Sequence, residues 1–362
     1  EDGAGSVVDE RVFELDLGSH DPVAVLERLV HDGARPRRFA PASGGLSAVY
    51  SAATEGRLDL AGEVDVDTAE DPRDVPVSSV PRLLRFEARR HLRLVWLFAV
   101  PLLAAGVPVW GLVRKRAAAQ AEVEDEALFS STDVTAFRAA AEGLELGLPL
   151  AALIAMLVTS QLVAGELGRG TLRNVALRPL TRLQIGLAKW GTALGIGAVC
   201  VLGALAGATG FASVPFEYGD LEEVLVGGQR FPIMTADEVE PDFRRALTGA
   251  VATTLAFASL GFAAGCLVRR GIVAVGLSLA LFLFLVVSRW FTAGADWEWL
   301  NPATYLPFLT ADASRVHAVA ILADGATNVP FEHGATEFSM PLGLTLLCGL
   351  VGIAAWARVR IP

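Results

Sequence analysis

The side chains best placed for chemistry lie in one polar segment between apolar runs, Val163–Lys189, VAGELGRGTLRNVALRPLTRLQIGLAK. A single carboxylate, Glu166, is followed by Arg169, Arg173, Arg178 and Arg182, and Lys189 closes the segment. Glu166 can pair with Arg169 or Arg173, or it can stay solvated. That is the chemistry of a charged contact surface, not of a catalytic centre. The five histidines are scattered, so no Ser-His-Asp or Cys-His arrangement can be drawn. His317 and His333 lie near Asp312, Glu332 and Glu337 but lack helical i,i+4 spacing, which reads as solvated loop and not as a metal site. The cysteines Cys200, Cys266 and Cys348 show no CxxC or CxxH spacing and fall in apolar runs, where cysteine acts as a small apolar filler. No GxxxxGK[ST] occurs, and neither Lys115 nor Lys189 follows a glycine, so no loop here can cradle nucleotide phosphates. As given, the chain is not expected to be an enzyme, to hydrolyse ATP or to hold a cofactor of its own.

The elements that position this segment are apolar and long. The chain has 362 residues, 53% of them hydrophobic and 19% charged, with a mean hydropathy of +0.47. A hydrocarbon core of about 30 Å needs around 20 helical residues. Six runs meet that test, near residues 92–113, 144–165, 190–211, 246–268, 271–291 and 340–357. None has an ionisable side chain near its centre, and the most polar residues nearby are Thr159, Gln161, Thr192, Thr253 and Thr254. Carriers driven by protons or ions place carboxylates or histidines at membrane depth, so ion coupling is not expected. The net charge of -10 speaks against a nucleic-acid partner.

Arginine placement sets the orientation. Arg82, Arg85, Arg89, Arg90 and Arg93 precede the first run, Arg169–Lys189 separates the second and third, Arg269 and Arg270 the fourth and fifth, and Arg358 and Arg360 follow the sixth. With alternating helices all of these share one side, which places both termini in the cytoplasm and the chain in the plasma membrane. Arg114, Lys115 and Arg116 run against this pattern. Leu83–Arg93 suits an interfacial helix on the inner leaflet, among membrane lipids. Pairs of glycines one turn apart, Gly191 with Gly195, Gly203 with Gly207 and Gly261 with Gly265, let helices approach closely. They serve packing within one bundle or contact with a second copy, the former being the commoner use. Trp96, Trp110, Trp290, Trp297 and Trp299 fit interfacial belts. The outer connections 212–245 and 292–339 are longer than tight turns, and helical residues are expected at Ala311–Ala323.

The front of the chain is polar. Val7–Leu17 alternates as a half-buried strand does. Asp21 and Pro22 open a helix with Val25, Leu26, Leu29 and Val30 on one face, ended by Gly33. Arg35–Phe39 reads as a second strand and Gly45–Thr54 as a second helix. This β-α-β-α unit, residues 1–55, is small for an independent core. The acidic stretch 56–81, with Pro72, Pro76 and Pro81, reads as a linker, followed by the membrane domain 82–362.

Two segments carry a family resemblance. Glu166, then Gly170, Thr171 and Leu172, then Pro179 followed by Thr181 and Arg182, then Lys189 before the third run, are similar to the loop after the second helix in permeases of the ABC-2 class of ATP-binding-cassette exporters. Asp21–Gly56 resembles, more loosely, the tail that follows the nucleotide-binding domain in the ATPase subunits of such exporters. The resemblance implies a mainly α, six-helix permease preceded by an α/β tail, with the ATPase itself expected upstream of Glu1 or on a separate subunit. It implies that Arg169, Thr171, Arg173, Arg178 and Arg182 face that ATPase, that Mg-ATP sits on the ATPase and not here, and that a second permease copy completes an export path for an amphipathic or lipid-like substrate. The residues leave open a rival reading, a non-transporting membrane protein whose α/β unit senses a ligand, and the arginines could equally enforce topology and bind anionic headgroups.

Overall fold

A computed structural model describes residues 6–9, 12–14, 81, 95–122, 131, 132, 134–168, 181–224, 230–293, 295–307, 314–323 and 335–358. The chain divides into two compact units, Glu1–Ala69 and Glu70–Pro362, a division that falls inside the acidic stretch 56–81.

In the first unit, β1 (Ser6–Asp9) and β2 (Val12–Glu14) pair antiparallel, with Val7 opposite Phe13 and an irregularity between Val7 and Asp9. Val7–Leu17 therefore does not form one strand as its alternation suggests; the chain reverses between Asp9 and Val12. Two short strands that pair with each other satisfy backbone groups that a lone strand would leave open. The helix expected from Asp21, the strand 35–39, the helix 45–54 and the interfacial helix after Arg82 lie outside the described residues.

The second unit is helical: α1 (Trp96–Glu122), α2 (Ala136–Gly168), α3 (Arg182–Ser213), α4 (Ala236–Leu267), α5 (Gly271–Thr292), the short α6 (Arg315–Leu322) and α7 (Thr336–Ala357). Six of these, all but α6, are long and apolar enough to cross a membrane, and they overlap the six runs read from the sequence. Successive spans alternate in direction. Gly203 and Gly207 of α3 rise beside Phe98 and Leu102 of α1, whereas Gly186 of α3 meets Trp356 near the end of α7. α1 is staggered along the bundle, since Phe98, in its first turn, lies level with the middle of α3.

Helices α2 and α4 form the core. α2 touches α1, α3, α4, α5 and α6, and α4 packs on α2, α3 and α7. By contrast α5 buries little of its surface and presents Ile272, Phe284, Trp290 and Phe291 outward, as a helix facing lipid does.

Four of the helices, α2, α3, α4 and α7, begin earlier than the apolar runs do. α2 starts at Ala136, α3 at Arg182 and α4 at Ala236, the first turn of α4 carrying Asp237 and Glu238. The start signals are local. Thr181 and Gln184 form a reciprocal capping box, as do Thr235 and Glu238, each satisfying amides that a helix start leaves unpaired. At the end where α3 finishes, β3 (Ser131–Thr132), β4 (Leu221–Val224) and β5 (Arg230–Met234) form a small antiparallel sheet. Beside it Phe137, Tyr218 and Phe243 pack ring against ring, at 5.0 Å and 5.4 Å from Phe137. Burial pushes the Tyr218 hydroxyl above the ordinary tyrosine range.

Candidate functional site

The polar segment predicted to do chemistry hangs between the end of α2 and the start of α3, and both anchors are described. Helix α2 continues through Glu166 to Gly168, and Lys189 lies two turns inside α3. Neither side chain reaches water. Glu166 is 2% and Lys189 1% exposed, and Lys189 Nζ lies 2.7 Å from Glu166 Oε2. The same ammonium donates to the Leu162 carbonyl at 3.1 Å. Of the states anticipated for Glu166, the solvated one is not found: its carboxylate is enclosed between two helices and held by Lys189, while Arg169 and Arg173 lie outside the described residues. An ammonium and a carboxylate brought out of water are tolerable only with short, direct contacts and further hydrogen bonds of this kind.

A second lock holds the start of α3. The Trp356 indole Nε1 of α7 donates to the Arg182 carbonyl at 2.8 Å, and the Arg182 guanidinium donates to the Ala357 carbonyl at 3.0 Å. The Trp356 ring is buried against Gly186, where a Cβ would approach it to 3.0 Å. On the α2 side, Gln161 Nε2 donates to the Gly271 carbonyl at 2.7 Å, and Gly168 lies against the Arg269–Gly271 turn. Four elements thus fix both ends of the segment. Arg169, Gly170, Thr171, Leu172, Arg173, Arg178 and Pro179 themselves lie outside the described residues.

The glycine pairs divide. A Cβ on Gly203 or Gly207 would overlap the carbonyls of Phe98 or Leu102, and one on Gly261 or Gly265 those of Met156 or Ser160. These four let α3 and α1, and α4 and α2, come together backbone to backbone. Gly195 differs: a Cβ there meets nothing within 4 Å, so it is not part of that internal packing. The threonines are satisfied by the backbone. Thr192, Thr253 and Thr254 each donate to a carbonyl one turn earlier, and Thr159 donates to Ala258 of α4 at 2.8 Å.

The opposite end of the bundle carries a charge cluster that sequence spacing did not reveal. Arg315, at the first position of α6, pairs with Glu337 of α7 and lies 3.3 Å from Asp242 of α4. His317 Nδ1 lies 3.0 Å from Glu145 Oε1 of α2. Expected helix at Ala311–Ala323 is found as α6, and His317 sits with one carboxylate. Among the described residues no three His, Cys, Asp or Glu side chains gather as a metal site would require; His333 lies outside them. Nearby, the buried Arg289 guanidinium donates to the carbonyls of Ala303 and Leu306, and Asn301 caps the turn at Pro302–Tyr305 while donating to Leu285. Burial, more than the adjacent Glu337 and Glu298, raises the Tyr305 hydroxyl above its ordinary range, opposed by its hydrogen bond with Thr336. The Asn-Pro dipeptide carries a local sequence signal, as the helix at α6 does, whereas the charge pairings do not.

Fold and site define a multi-pass helical membrane protein with a charge-locked loop at one end and a charge-clamped short helix at the other. In comparison with known proteins, no family model and no curated protein matches the chain.

Proposed function

We propose that the chain is the permease part of an ABC-2 type exporter, in which segment 166–189 receives the movement of an ATP-binding-cassette ATPase and passes it to the helices. The observation that carries the reading is the buried Glu166–Lys189 pair. A loop that transmits force needs rigid ends, and this pair, with the Trp356–Arg182 contact, ties the loop to α2, α3 and α7. The motif Glu166, Gly170-Thr171-Leu172, Pro179, Arg182 and Lys189 stands between the second and third spans, where the ABC-2 pattern has it. The arginine-rich end then faces the cytoplasm with both termini, in the plasma membrane. Mg-ATP is held by the ATPase, in the same polypeptide or on a separate subunit, and a second permease copy faces the first across the path. An amphipathic or lipid-like substrate suits this reading, because none of the six apolar runs has an ionisable side chain near its centre.

The test is reconstitution in lipid with the ATPase and measurement of ATP hydrolysis. Arg173→Glu and Arg178→Glu should lower permease-dependent hydrolysis roughly tenfold, within the usual span of coupling energies. Unchanged hydrolysis and transport in both variants would sink the coupling assignment.

A further inference from the structure

We propose that α6 is a latch joining α2 to α4 and α7, and that protonation of His317 tightens it. The argument starts from a charge arrangement that α6 could not sustain alone. Helix N-termini favour acidic side chains, because their unpaired amides and the helix dipole place positive charge there. The first turn of α6 has no acid; it has Arg315 at its first position and His317 at its third, behind the Ser314 cap that accepts from the His317 amide. The compensating carboxylates come from three other helices: Glu337 of α7 and Asp242 of α4 to Arg315, and Glu145 of α2 to His317. Docking of α6 and neutralisation of its first turn are therefore one event.

The apolar side of α6 supports this but does not select a partner by charge. Val316, Val319 and Leu322 are buried, and α6 packs on α2 and α4. The charged groups on the elements around it are Arg138, Glu142 and Glu145 of α2, Asp242 and Arg245 of α4 with the outward Glu240–Arg244 pair, and Glu337 of α7. Arg138 is taken up by Glu142 at 3.1 Å and Arg245 lies 3.8 Å from Asp242. Arg315 is permanently charged, so its two contacts do not vary near neutrality. Among the described residues of this cluster, His317 is the side chain whose ordinary titration range lies there. Its imidazolium forms a charge-assisted bond with Glu145, whereas the neutral ring makes an ordinary hydrogen bond. The tie between α2 and the α4–α7 side thus strengthens as pH falls through the imidazole range and weakens as it rises. Glu145 stands about 30 Å along α2 from Glu166, so the latch acts at the far end of the same helix that carries the locked loop.

The experiment is hydrogen exchange of the full chain in lipid nanodiscs at about pH 5.5 and about pH 7.5, either side of imidazole titration, corrected for intrinsic exchange. Protection of the Arg315–Leu322 amides should be roughly threefold higher at the acid pH, the size expected of a partly exposed ion pair. In His317→Gln and Glu145→Gln the difference should vanish. His317→Lys, which keeps a cation at both pH values, should also show no difference, and it serves if His317→Gln folds poorly. Protection in the wild type that does not change with pH, or a difference that persists in His317→Gln or His317→Lys, overturns the proposal. Because the readout needs neither ATPase nor substrate, its failure is separable from failure of the exporter reading.

Discussion

The two ends of α2 hold charge in opposite ways. At Glu166 the carboxylate and the Lys189 ammonium are both enclosed and in direct contact, and the ammonium also donates to the Leu162 carbonyl. At the Glu145 end the charges are shared out over α2, α4, α6 and α7, and His317 and Glu145 each keep about a fifth of their side chains in solvent. A fully buried pair stores its energy in mutual dependence, because either charge left alone is stranded in a low-dielectric interior. A partly exposed cluster with shared partners loses less when one member goes, since water or a second partner replaces it. One end therefore suits a fixed anchor and the other suits an adjustable contact.

The sharpest way to break this comparison is at the buried pair. Lys189→Met should lower stability by about 3–5 kcal/mol by removing the ammonium in contact with the enclosed Glu166 carboxylate. Glu166→Leu in the same chain should restore most of the loss. Thermal unfolding followed with a thiol-reactive dye measures both, because Cys200, Cys266 and Cys348 are all buried until the bundle opens. A double variant as unstable as Lys189→Met would show that the pair does more than satisfy itself.

Next in size is the backbone contact between α4 and α2. Gly261→Val should destabilise by about 1–3 kcal/mol, because its side chain must displace the Met156 carbonyl or Thr159. Gly195→Val, whose Cβ meets only open space, is the control and should leave the unfolding temperature unchanged. At the clamped end, Glu337→Gln should cost about 1–2 kcal/mol in the same assay, less than Lys189→Met, since Asp242 still faces Arg315. Trp356→Phe removes one hydrogen bond to the Arg182 carbonyl and should cost about 1 kcal/mol. The smallest effect belongs to Arg244→Ala, whose pair with Glu240 is exposed; a change within about 0.5 kcal/mol is expected. If Arg244→Ala rivals Lys189→Met, burial is not what separates the two ends.

Much of the fold was legible because apolar length is a local property. Each of the six runs needs only its own composition to become a membrane-length helix, and Thr181 with Gln184 and Thr235 with Glu238 write their own helix starts. Early starts were overlooked because polar first turns lower the hydropathy on which the runs were drawn, as at Asp237 and Glu238 of α4. Val7–Leu17 misled for the converse reason: alternation reports a half-buried extended chain but not where it reverses. In the loop, the position of Glu166 and Lys189 was readable but their relation was not, since 23 residues separate them in sequence.

What the sequence determined by itself is therefore the set of membrane-length helices and their alternation, both consequences of transfer energies that act residue by residue. What only the tertiary structure decided is which charges meet. Lys189 finds Glu166, Arg315 finds Glu337 and Asp242, and His317 finds Glu145 because helix packing brings their backbones together. In a low-dielectric interior each charge must then take the partner that packing supplies.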